Sequence, residues 1–251
     1  MWTTIENANL QAFINDFNKV RNLGFIPCTR LGSTAIGKTF EDALKIAENN
    51  KKDPDLHGFE IKAQRHLTSS YVTLCTKSPT NPPKANQILK DEYGYPDASH
   101  PDINVLHTSI FCGKTNRLPS NYCFTLEIDE LNEQLYIVIT NPEGIINKSI
   151  YYTFTAIQNA LSKINNLAYV QAETEIRNGQ EFFHFKNATI FSQMKDFHVF
   201  IDMMKQGKIM YDIRLGAYKT GPKIGKAHDH GSGFRIKKEN FGQLYNYSQT
   251  I

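Results

Sequence analysis

Cysteine is scarce in this chain of 251 residues, and the four present, Cys28, Cys75, Cys112 and Cys123, form no C-x-x-C spacing. That argues against a zinc ribbon or a disulfide framework and for reduced thiols. No apolar run approaches the roughly 20 residues that a membrane-spanning helix requires. No secretory signal is visible at the N-terminus, so a cytoplasmic protein is expected. No internal repeat is present either. An excess of one charge is also missing: 28 Lys and Arg against 25 Asp and Glu leave a net charge of +3, too small to announce a nucleic-acid partner. Hydrophobic residues at 40% and charged residues at 21% are ordinary for a globular protein. The length suits one large domain or two lobes.

Distribution says more than totals. Lys205, Lys208, Arg214, Lys219, Lys223, Lys226, Arg235, Lys237 and Lys238 crowd one stretch, with only Asp212 and Asp229 as acids between them. Such clustering is the footprint of a phosphate-binding surface, and equally of a solvated lysine-rich loop.

Periodicity gives a mixed map. Leu10, Phe13, Ile14, Phe17 and Val20 share one face of a helix expected over 9–22. A second helix is expected from Thr39 as N-cap to Asn49, with Phe40, Leu44 and Ala47 as its stripe. Strands are expected over 59–62 and 71–76, followed by a loop over 78–83, whose three prolines bar a regular element. No structure is assigned to 91–117. Residues 122–128 and 135–140 read as a hairpin, and 154–161 as a helix capped near Thr153. Strands follow over 167–173 and 181–186, then a helix over 190–205 ended by Gly207. Strands over 208–216 and 233–237 flank a long loop rich in Gly, Lys and His. The sum is an α+β chain.

The chemistry concentrates at Asp55, Glu60 and Lys62. Phe59 to Lys62 alternates apolar and polar residues, so Glu60 and Lys62 share one face of a strand. A turn through Gly58 can return Asp55 to the side of Glu60. Two hard carboxylates suit Mg²⁺ with several waters retained, and an adjacent ammonium suits an attacked phosphate. As a bare pattern, D-x4-E-x-K also describes three surface charges on an amphipathic strand.

Gly32, Gly37, Lys38 and Thr39 fit G-x-x-x-x-G-K-T literally. A nucleotide-binding loop should follow a hydrophobic strand of a parallel unit, and Phe25 to Arg30 is a poor one, so that reading is set aside. In the basic stretch, Arg214 and Arg235 are candidates for guanine recognition, since Arg is the usual partner of O6 and N7. Asp212 shares a strand face with Arg214 and can accept from a cytosine amino group or orient the arginine. His228 and His230 project together if extended. They can donate to guanine, hold a metal with Asp229 nearby, or serve the fold alone.

Residues 32–41, Pro54-Asp55, Glu60-Ile61-Lys62 and 76–82 resemble blocks of the MvaI/BcnI restriction endonucleases, relatives of the MutH nicking enzyme. Further matches are 212–218, 225–231 and 234–236, in the same order and at similar spacing. The likeness runs from near residue 20 to near residue 236 and is greater to the MvaI branch. It implies a two-lobed, MutH-like fold of the restriction-endonuclease type, with a mixed central sheet and flanking helices. It divides the chain into a catalytic lobe over 1–168 and a DNA-recognition lobe over 169–251, with duplex DNA held between them. It also implies a monomer that cuts a CC-N-GG type site, CCWGG favoured, one strand after the other with Mg²⁺. A cognate DNA methyltransferase is the implied functional partner.

Residue by residue, the likeness assigns chemistry to Glu41, Asp55, Glu60 and Lys62, with Glu41 supporting the metal site from a helix. It assigns DNA contact to Asp212, Arg214, Tyr218, His228, His230 and Arg235, while Lys223 and Lys226 belong to the phosphate-binding stretch. Ala35 departs from the glycine of the relatives, and 91–119 does not align. A MutH-like nicking repair enzyme and a DNA-binding module without catalysis remain the alternatives.

Overall fold

The computed structural model describes residues 4–32, 34–45 and 54–251, with the side chains of Thr4 and Ile5 left aside. In chain order the elements are α1 (Thr4–Arg21), β1 (Ile26–Pro27), α2 (Ala35–Ala43), β2 (Glu60–Arg65), β3 (Val72–Thr76), α3 (Ala85–Tyr93), β4 (Tyr95–Pro96) and β5 (Asn104–Ile110). They continue with β6 (Asn116–Arg117), β7 (Cys123–Asp129), β8 (Gln134–Asn141), β9 (Gly144–Thr153), α4 (Phe154–Leu161), β10 (Asn166–Arg177) and β11 (Gln180–Met194). The last are α5 (Phe197–Lys205), β12 (Ile209–Ala217), β13 (Ala227–Asp229), β14 (Gly233–Ile236), α6 (Phe241–Leu244) and β15 (Tyr245–Thr250).

These elements form two compact units that interleave in sequence. The first takes residues up to 70, 163–195 and 239–251; the second takes 71–162 and 196–238. The expected contiguous division at residue 168 instead falls inside β10. The reason is sheet completion. In the first unit the strand order is β1-β11-β10-β2, so the late β10–β11 hairpin lies between two early strands, and β15 pairs with β11 as well. β2 runs parallel to β10, with Glu60 opposite Leu167 and Lys62 opposite Tyr169, whereas the other pairings are antiparallel. The sheet is therefore mixed.

One face of this sheet is covered by α1 and α2. Leu10, Phe13, Phe17 and Val20 of α1 recur at helical spacing and are buried with Ile36 and Phe40 of α2 against Ile61, Val170, Phe183 and Phe185. Phe40 meets Phe185 at 5.0 Å between ring centroids, and Phe13 meets Phe59 at 5.6 Å, distances typical of favourable aromatic pairs. Because side chains alternate, turning Ile61 into this core turns Glu60 and Lys62 to the opposite face.

The second unit holds two sheets, β3-β14-β12-β5-β4 with β13 added to β12, and the meander β6-β7-β8-β9. Tyr152 of β9 packs at 5.2 Å from Tyr211 of β12 and at 5.6 Å from Phe234 of β14, between ring centroids. The Tyr211 and Tyr152 rings are fully buried, and the Tyr211 hydroxyl donates to the Lys77 carbonyl at 2.8 Å.

Several local expectations meet a different outcome. The second helix starts at Ala35 rather than Thr39 and ends at Ala43; Ala47 and Asn49 lie outside the described residues. Thr39 sits inside the helix, where its buried hydroxyl donates to the Ala35 carbonyl at 2.8 Å and accepts the Thr29 N–H. A hydroxyl satisfied within the helix has no capping to do. Ala35 is itself fully buried, so its methyl group fills core space. Residues 190–194 belong to β11, since Ile190 pairs with Ala168, and α5 begins only after Asp196, whose carboxylate caps His198 N–H at 2.9 Å. The unassigned stretch 91–117 contains β4, β5 and β6. By contrast, the hairpin β7–β8 and the Thr153 cap of α4 are as expected, with Thr153 Oγ1 accepting from Ala156 N–H at 3.2 Å.

Candidate functional site

In the first unit, a tight turn sets up the acids. Leu56 and Phe59 bond each other's backbone at 2.8 and 3.1 Å, with His57 and Gly58 between them at φ 49° and 79°. Two consecutive left-handed residues make the turn that matches strand twist, and Gly58 takes its place there without a Cβ penalty. The turn is fastened to α1 by a 2.8 Å contact between His57 Nε2 and Asp16 Oδ2.

Asp55 then lies where the Ile61 N–H donates to its Oδ2 at 3.0 Å. Glu60 is only 6% exposed. Lys62 Nζ donates to Glu60 Oε1 at 2.7 Å, so the acid and the ammonium do share one strand face. Sequence reasoning missed Lys163. Its Nζ stands 3.1 Å from Asp55 Oδ1 and 2.7 Å from Glu60 Oε2, linking the two carboxylates. Burial lowers the Lys163 pKa, but contact with Glu60 and Asp55 outweighs burial and leaves it above the ordinary lysine value. Glu41 is half-buried on α2, a helix that packs beside β2.

Glu60 Oε2 is buried and accepts no hydrogen bond of ordinary direction; its contact with Lys163 is one of charge. A strong acceptor in that state, beside a second carboxylate, fits a hard divalent cation with oxygen ligands. No group of three or more His, Cys, Asp or Glu able to hold a metal occurs among the described residues, so other oxygen ligands would have to complete any coordination here. Lys38 of the P-loop-like stretch is tied to Asp42 at 2.6 Å, and Gly37 and Lys38 lie within α2. β1 runs antiparallel to its neighbour. Nothing there forms a phosphate loop.

In the second unit, the basic residues gather around Asp212. Its side chain is nearly buried on β12, where Arg214 Nε donates to Oδ2 at 2.6 Å and Ser109 Oγ to Oδ1 at 2.8 Å. Arg235 Nε stands 3.0 Å from the same Oδ2, and its Nη2 donates to the Gly231 carbonyl at 3.1 Å. Burial holds the Arg235 pKa below the ordinary guanidinium value. His228 and His230 do project together, 4.4 Å between ring centroids, and His228 stacks on Tyr218 at 4.7 Å. His107 of β5, opposite Arg214, extends the row at 6.4 Å from His230. Burial first, then the charges of His228 and His107, lower the His230 pKa. Gly216 makes room for that ring: a Cβ there would overlap His230.

Asp229 does not join the histidines as a ligand. Its Oδ1 accepts the Gly231 and Ser232 N–H groups at 3.0 and 2.6 Å, and Asn86 donates to its Oδ2. It shapes the turn that returns the chain to β14. Lys223 and Lys226 are exposed around Tyr218, with Lys223 Nζ 5.4 Å from its ring centroid. The basic stretch is less uniform than its sequence suggests. Lys205 pairs with Glu130, and Lys219 with Asp97 at 3.0 Å. Those two charges are locally balanced.

A sequence profile described as the MvaI/BcnI restriction endonuclease family matches residues 14–245. Two solved structures are similar over nearly the whole chain at 34% identity. One is the restriction endonuclease MvaI–cognate DNA substrate complex, with a TM-score of 0.86 over 96% of this chain and 97% of that one. The other is MvaI in the absence of DNA, with a TM-score of 0.63 over 97% of each chain. No curated protein sequence matches. Fold and match together define a restriction endonuclease, a Type II site-specific deoxyribonuclease. The chain belongs to the MvaI/BcnI restriction endonuclease family.

Proposed function

We propose that Asp55, Glu60 and Lys62 carry phosphodiester cleavage with Mg²⁺, and that Asp212, Arg214, Tyr218, His228, His230 and Arg235 read the bases of double-stranded DNA. The observation that carries the first half is the convergence of Asp55 Oδ1 and Glu60 Oε2 on one cation, Lys163, beside the Lys62–Glu60 pair. When bound to this carboxylate pair, a divalent ion supplies Lewis-acid polarisation of the phosphate and acidifies a water. Ile61 N–H holds Asp55 in place through Oδ2, and Lys62, held beside Glu60, offers positive charge to the attacked phosphate. Glu41 supports the metal site from α2.

The Asp212 cluster supports the second half. Arg214, held at Nε, directs its outer N–H groups toward guanine O6 and N7, while Arg235 spends Nη2 on the Gly231 carbonyl and has Nη1 to offer. Lys223 and Lys226 contact phosphates. The first unit is then the catalytic lobe and the second the recognition lobe. The target is a CC-N-GG type site with A or T at the centre, a step that rests on family likeness alone. The protein acts as a monomer whose one set of acids cuts the strands in succession, and a cognate methyltransferase protects the host's own sites.

Digestion of a mapped plasmid by purified protein with Mg²⁺, followed by sequencing of the ends, tests this reading. Supercoiled plasmid should pass through a nicked form to a linear one, with both cuts inside CCWGG. Nicking without linearisation would favour the MutH-like alternative, and no cleavage would favour the binding module.

A further inference from the structure

Each carboxylate of the pair has one oxygen engaged by β2 and one turned toward Lys163. Asp55 Oδ2 takes the Ile61 N–H at 3.0 Å and Glu60 Oε1 takes Lys62 at 2.7 Å, while Asp55 Oδ1 and Glu60 Oε2 face the Lys163 ammonium at 3.1 and 2.7 Å. Those last two oxygens are the ones a divalent ion would share. We infer that Lys163 is the resident counter-cation of the carboxylate pair, and that a divalent ion must displace its ammonium in order to bind.

The placement is built into the backbone. Lys163 lies in the 3-10 turn Ser162–Ile164, whose Ile164 carbonyl accepts the buried Tyr245 hydroxyl at 2.8 Å. β10 then starts beside β2 in parallel, with Leu167 opposite Glu60. The lysine is thus delivered to Glu60 by the sheet itself and not by a wandering surface loop. Charge explains what it does there. Within this group two carboxylate side chains already face two amine-bearing ones. A metal entering there gains less than one entering the carboxylates alone. Lys163 is therefore a positioning residue, acting on the reaction through occupancy of the metal site.

This rests on the metal-site reading above. Calorimetric titration of the full chain with Mn²⁺ in the absence of DNA tests it on Lys163→Met and Lys163→Gln, with folding checked by circular dichroism. The apparent Kd should tighten by about tenfold in both variants, the sign expected when a competing charge is removed from a part-buried pair. In chelator, both variants should melt below the wild type and recover more on adding Mn²⁺. A purely structural lysine would give the opposite sign, weaker metal binding in a loosened site. A Kd that is unchanged, weaker, or undetectable in every form overturns the inference. Glu60→Gln separates the two readings: if it binds Mn²⁺ as the wild type does, the carboxylate site itself is misassigned. If only the lysine variants leave Kd unmoved, the role of Lys163 alone falls.

Discussion

Among the described residues the two units each bury one carboxylate at 6% exposure, Glu60 in the first and Asp212 in the second, and each sets it between two cations. The cations differ. Glu60 has Lys62 and Lys163, compact charges on flexible stems, and one of its oxygens accepts no well-directed hydrogen bond. Asp212 has Arg214, whose planar fork donates to it from Nε, and Arg235, whose Nε meets it by charge while Nη2 donates to the Gly231 carbonyl, with Ser109 satisfying its other oxygen. An ammonium can be exchanged for another cation because it has no preferred plane, whereas a guanidinium fixed at Nε presents its remaining donors in a set direction. The first arrangement suits a group that must accept a metal and change partners during a reaction. The second suits a rigid template for base edges. In the proposed reading, similar burial and similar charge serve opposite ends, and the side-chain geometry of the cation decides which.

The largest effect should come from breaking the exchangeable side. Asp55→Ala and Glu60→Ala should each abolish plasmid linearisation while a gel-shift assay shows cognate duplex still bound, because neither carboxylate touches bases in this reading. Lys62→Ala should slow cleavage by about 3 kcal/mol, the usual worth of one transition-state donor. Linearisation near the wild-type rate by either acid variant would sink the assignment.

A smaller effect is expected on the locked side. Asp212→Ala leaves the Arg235 guanidinium buried without its acid and should lower unfolding free energy by about 3 kcal/mol in urea titration. Arg214→Ala and Arg235→Ala should each remove about 1–3 kcal/mol of discrimination between cognate and random duplex. Equal losses on both duplexes would move the arginines to phosphate contact and blur the contrast with the lysines.

The smallest effect belongs to an exposed charge outside either cluster. Lys223→Ala should weaken specific and non-specific binding alike and reduce the slope of log K against log salt by about one unit. A sequence-dependent loss would instead draw Lys223 into the reading face.

Strand alternation over Phe59 to Lys62 was enough to put Glu60 and Lys62 on one side, and the distance between them agrees. The same local logic paired Asp212 with Arg214, since neighbours two apart on a strand share a face whatever the rest of the chain does, whereas His230 lies just past the end of β13 and meets His228 from the bend that follows. Helix limits were less legible. Thr39 looks like a cap in sequence, yet its hydroxyl is consumed inside α2, and the start at Ala35 depends on burial of that methyl group. Residues 190–194 look helical by pattern, yet the long β10–β11 pairing claims them, a tertiary choice that overrides local preference.

What the sequence determined by itself was the local set: the D-x4-E-x-K pattern, the shared strand faces and the family likeness, because each rests on neighbours only a few residues apart. Lys163 carried no such signal. It lies 108 positions from Asp55 in the chain and reaches the acids only because β10 adds to β2 in parallel. His107 and Ser109 likewise joined the cluster around Asp212 and His230 only through the pairing of β5 with β12. The interleaving of the two units has the same origin. Strand partners distant in sequence are selected by the burial and hydrogen bonding of a whole sheet, and that selection exists only in the folded chain.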